Sequence, residues 1–193
     1  MGFLEPHGRS RGTFRPDALK PRTRLEIAAT AEVGQATPAG NPEGDGILAP
    51  TIVIVHTLAH AVGALRAAAH ATRPLMLLSA PDAGIYAGPG WFGAIVAAAR
   101  EAVPEALFLA MLDCGDRPGA ALAAIRAGVK GVIFTGGTDP AFRLADIAHQ
   151  QGVRFLTERP AAGLDLVDDF FASEAVSEQR CAGFLALTVG SER

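Results

Sequence analysis

The residues most able to do chemistry stand where apolar runs break off. "ALFLAMLDCGD" (106–116) ends an aliphatic run with Asp113, Cys114, Gly115 and Asp116. An aspartate in such a place can take or give a proton, and a thiol can serve as a nucleophile or metal ligand. His56 follows the run "TIVIV", and His60 lies four residues further on, a spacing that can hold a metal on one helix face. Ser79 ends "PLMLLS", Glu158 follows "VRFLT", and Gly136 and Gly137 stand between an apolar run and the helix signal "DPAF". Paired glycines before a helix can cradle an anion on backbone N–H groups. Each position also has a plainer reading. Asp116 can cap the helix that starts near Arg117, Asp139 can cap the next one, and the histidines can be capping or surface groups.

These residues need elements to position them. From Ile47 onward, β-branched or aliphatic runs alternate with Ala-rich stretches. The runs 51–55, 74–79, 106–112, 131–137 and 153–157 read as strands. The stretches 58–71, 89–102, 117–128 and 139–152 read as helices, with Pro89 and Pro140 near their starts and Gly128 and Gly152 at their ends. "GLDLVDDFFAS" (163–173) reads as a final helix, and "CAGFLALTVG" (181–190) fits either type. The alternation predicts an α/β fold with a mainly parallel sheet of about five βα units, arranged as a partial TIM-barrel-like arc or an open doubly wound sheet. Ligands of such folds bind at the carboxyl ends of the strands. His56, Ser79, Asp113, Cys114, Gly136, Gly137 and Glu158 therefore share one expected rim. An arc leaves strand edges bare, and the C-terminal run, a helix or a second copy of the chain is expected to cover them.

Residues 1–46 differ in kind. Up to Arg24 they hold six Lys/Arg against two acids, and "TPAGNPEGDG" (37–46) is turn chemistry. They are expected to form a disordered arm, with residues 47–193 as one α/β domain. A net charge of −3 gives no electrostatic case for nucleic acid or an anionic membrane. No apolar run approaches the ~18 residues of a membrane-spanning helix. With two cysteines and no apolar leader, a cytoplasmic address is expected.

The stretch from Arg73 to Gly137 resembles the class II, zinc-dependent fructose-bisphosphate (ketose-bisphosphate) aldolases. Ser79, the turn Tyr86-Ala87-Gly88, "LDCGD", "AIRAGVKGV" and "TGG" occur in that family's order, followed by "DIAHQQGVRFLTER". The resemblance covers residues 51–160. It implies that Asp113 is the catalytic acid/base and that Cys114 replaces a zinc-binding histidine. The family's two later zinc histidines have no counterpart, since the last histidine is His149. The family's Asp-Gly-Ser has become Thr135-Gly136-Gly137. Aldol cleavage needs a Lewis acid on the carbonyl.

The expectation is therefore a degenerate aldolase relative that binds a small phosphorylated or carbonyl ligand with little or no cleavage. Asp113 is its catalytic candidate, and Ser79, Gly136 and Gly137 are its ligand-binding candidates. Zinc on Cys114, His56 and Glu158 would make a rebuilt aldehyde-lyase, and a non-catalytic scaffold is the third reading. The layout is also similar to response-regulator receivers. However, Val55-His56-Thr57 lacks their acidic pair, and no lysine ends the fifth strand.

Overall fold

The computed structural model describes residues 50–161 and 163–190, the last three by backbone alone. The expected arm, 1–46, lies outside the described residues.

Six strands, all parallel, form one sheet: β1 (Thr51–Val55), β2 (Leu75–Ser79), β3 (Phe108–Asp113), β4 (Gly131–Ile133), β5 (Arg154–Leu156) and β6 (Leu164–Asp165). Their order is β5-β4-β3-β2-β1-β6. Each step from β1 to β5 moves one place in the same direction. Right-handed crossovers then put every connecting helix on one face. Those helices are α1 (Leu58–Ala71), α2 (Ala83–Tyr86), α3 (Gly88–Ala102), α4 (Pro118–Arg126) and α5 (Thr138–Gln150), and α6 (Glu174–Gly190) follows β6. The long helices pack side by side in the order α6, α1, α3, α4, α5. This single layer differs from the doubly wound alternative, which has helices on both faces of the sheet.

Strand alternation divides the side chains between two faces. Val53, Val55, Leu75, Leu77, Ala110, Leu112 and Val132 enter the helix-covered core. Ile54, Leu78, Met111 and Ile133 form a separate buried cluster on the other face. His56 and Asp113 continue that second face beyond Val55 and Leu112, and Asp165 joins it by pairing with Ile54. The seven-residue connection 157–163 must carry the chain from the β5 edge to the opposite edge. On a flat sheet that distance is five strand spacings, about 24 Å. Eight near-extended residue steps reach about 27 Å. Within this connection, Arg159 reaches the ends of β2 and β3.

Local chemistry sets the element ends. The Thr57 hydroxyl caps α1 by accepting from the His60 N–H at 3.2 Å. Gly63 lets α1 and α6 approach closely, since a Cβ there would lie 2.7 Å from Ser177 and from the Glu174 carbonyl.

Four expectations need correction. Residues 163–173 are not a helix. Leu164 joins the core and Asp165 points the other way, a strand alternation, and a 3₁₀ turn (Val167–Asp169) follows. The ambiguous 181–190 lies within α6. Asp116 does not cap α4, where Arg117 holds the cap position without a side-chain bond. Asp139 lies in the first turn of α5, and Gly137 is the cap. The β1 edge is paired by the short strand β6, and not by the C-terminal run, a helix or a second copy as expected.

Candidate functional site

The carboxyl-end rim holds a tightly bonded group around Asp113. This side chain is 4% exposed. Its Oδ1 accepts from the Gly115 N–H at 2.8 Å and the Asp82 N–H at 3.3 Å. Its Oδ2 pairs with Nη1 of Arg159. The Asp113 N–H donates to the Ser79 hydroxyl at 2.9 Å, and that hydroxyl donates to the Ala80 carbonyl at 3.0 Å. Arg159 Nη2 also donates to the Ser79 carbonyl at 2.8 Å. One guanidinium thus ties the chain after β5 to the ends of β2 and β3. Among its described partners it spends two of five N–H groups, and 21% of its side chain is exposed.

The backbone around this pair is specialised. Asp82 sits at φ 59° and Gly115 at φ 52°, both left-handed. A side chain on Gly115 would be strained by this φ, and its Cβ would lie 2.0 Å from Asp82 Oδ1, which would have to move. The Tyr86 hydroxyl is held above its ordinary range, first by burial and then by the carboxylates of Asp82 and Asp113, with Arg159 opposing them. The ring itself is largely exposed. Asp113, Arg159, Asp82 and Tyr86 therefore act on one another electrostatically.

The expected site residues fare differently. Asp113 stands on the rim, with both oxygens engaged. Ser79 is fully buried, and its hydroxyl is committed to Asp113 and Ala80. Gly136 presses against Phe134, where a Cβ would meet the ring at 2.4 Å. Gly137 caps α5, and Asp139 places a carboxylate in the first turn, where an anion would otherwise be favoured. Cys114 is fully buried, and burial, aided by Asp113, pushes its thiol up to about 12. Metals and electrophiles take the thiolate, which this packing disfavours. His56 pairs with Asp165, and Glu158 is exposed. Among the described residues, no three His, Cys, Asp or Glu side chains gather closely enough to hold a metal.

Arg159 was not legible as a site residue. An arginine directly after Glu158, at a strand end, was the available signal. Asp165 was hidden because its segment read as helix.

No family model and no curated protein matches this chain. Among solved structures there is a remote likeness. The crystal structure of a candidate fructose-1,6-biphosphate aldolase from Coccidioides immitis is similar over 55% of this chain and 44% of that one, at 20% identity and a TM-score of 0.47. The chain thus matches less than half the length of that protein. A likeness this remote carries no argument about chemistry, and the α/β assignment rests on the strand pairing itself. No helix among the described residues is long and apolar enough to cross a membrane.

Proposed function

We propose that the rim binds a small carbonyl compound, phosphorylated or free, with little or no aldol cleavage, as a degenerate relative of the class II aldolases. The observation that carries this reading is the buried Asp113–Arg159 pair. Asp113 holds the guanidinium in place, and the unspent N–H groups can receive a carbonyl, carboxylate or phosphate oxygen. The order of motifs that resembles the aldolases supports it as well. Low cleavage follows from Asp113 itself. Its oxygens are occupied by two backbone N–H groups and Arg159, which makes it a tether before any ligand arrives.

The test is thermal unfolding of the full chain with a panel of small ketoses and hydroxyketones, each with and without phosphate. A ligand present at a hundred times its Kd stabilises by about 2.7 kcal/mol. In a domain of this size that is a rise of roughly 5–10 °C. Arg159→Lys keeps the charge but loses the fork, and should abolish most of the rise. A panel with no stabilising member would contradict the reading.

A further inference from the structure

A second group of titratable side chains lies at the other end of the rim. His56 Nε2 is 2.7 Å from Asp165 Oδ1. That same oxygen accepts from the Val167 N–H at 3.0 Å, which stops the carboxylate from turning away. Behind it, the His56 backbone N–H donates to His60 Nδ1 at 3.3 Å, and His60 Nε2 donates to the Asp169 carbonyl at 2.8 Å. Both His60 nitrogens are therefore committed, and its partners assign one neutral tautomer. The His60 and Phe170 rings flank His56 at 6.0 and 6.4 Å. Asp169 in turn faces Arg180, whose Nε is 3.1 Å from its Oδ2 but out of line for a hydrogen bond.

His56 differs from His60 in one respect. Its Nδ1 has no partner among the described residues, and it is not among the buried polar atoms left unpaired. The His56 side chain keeps 12% of its surface exposed. With the Nε2–H held by a carboxylate, a neutral imidazole presents its lone pair at Nδ1. The geometry points to His56, oriented by Asp165, as a proton-transfer group acting on a small carbonyl compound that carries a C–H beside its C=O. This rests on the ligand reading of the rim.

The step balances without a co-reactant. The C–H bond breaks, an N–H bond forms at Nδ1, and the electron pair moves onto the carbonyl oxygen as an enolate. The proton at Nδ1 exchanges with water, and a proton then returns from Nδ1 to that same carbon as the C=O re-forms. Asp165 stabilises the imidazolium formed in between, as a positioning residue. The other protein groups are poor candidates for this step. Both oxygens of Asp113 are engaged, both nitrogens of His60 are spent, and Cys114 is a buried thiol.

The experiment incubates the full chain in deuterated water with hydroxyacetone, dihydroxyacetone and dihydroxyacetone phosphate, and follows loss of the α-proton signals by NMR. Wild type should exceed the protein-free rate, and His56→Gln should lose about a hundredfold of that rate. Thermal stabilisation by the same compound should persist in the variant, which shows that the site still folds and binds. Asp165→Asn keeps a hydrogen-bonding partner but removes the charge, and should lower the rate and shift its pH profile. A purely structural Asp165 would leave that profile unmoved, contradicting its assigned role. Wild-type binding without exchange, or full exchange by His56→Gln, overturns the proposal while the ligand reading stands. If none of the compounds stabilises the protein, both fall.

Discussion

The two ends of the rim solve the same problem in opposite ways. Around Asp113 the groups are charged, and their partners are drawn from three strand ends. Around His56 two imidazoles and a carboxylate are chained through backbone groups of β1 and the turn after β6. The first end spends both Asp113 oxygens and the Ser79 hydroxyl on holding itself together and leaves only N–H groups of Arg159 open. The second leaves one nitrogen open. A polar residue at a strand end can thus be either framework or working group, and its residue type does not tell which. What tells is how many of its hydrogen-bonding positions are already used.

The strongest way to break this contrast is to remove the framework. Asp113→Ala leaves the Arg159 guanidinium without its buried partner and releases the N–H groups of Gly115 and Asp82. Breaking one side of a buried pair costs about 3–5 kcal/mol. Urea denaturation should show that loss, and the double variant Asp113→Asn/Arg159→Gln should recover part of it. If Asp113→Ala unfolds at the wild-type midpoint, Asp113 is not the tether described.

A smaller effect sharpens the other end. Burial, and then the neighbouring His56, favour neutral His60 and lower its pKa, and the bond to the Asp169 carbonyl only partly opposes them. The unfolded chain then binds more protons than the native one below the ordinary histidine value of about 6.5. Stability from this residue is complete above that pH and declines as pH falls through it. His60→Gln can keep an acceptor and a donor without titrating, so its melting temperature should fall less than wild type between pH 7 and pH 5. Parallel curves would show that His60 is not the group responsible.

Much of this molecule was legible from its residues, for physical reasons that differ from place to place. β1, β2 and β3 are five- or six-residue apolar runs buried on both faces, and such runs announce themselves. β6 is a two-residue strand defined by its pairing with β1, so its local pattern competes with the adjacent "VDDFF". Asp113 could be placed on the rim because it directly ends an apolar run. Arg159 could not be joined to it, because the pair closes over 46 residues of chain. The His56–Asp165 bond spans 109 residues. Alternation tells which way a side chain points, but not which distant group meets it.

The central claim is that small carbonyl ligands bind at the rim between these two ends. The most direct test is a titration of isotopically labelled protein with the stabilising ketose, followed through backbone amide NMR shifts. The account predicts the largest shifts at Asp82, Gly115, Arg159 and His56. Shifts confined to the apolar groove between α4 and α5, lined by Pro118, Leu122, Pro140 and Leu144, would contradict it.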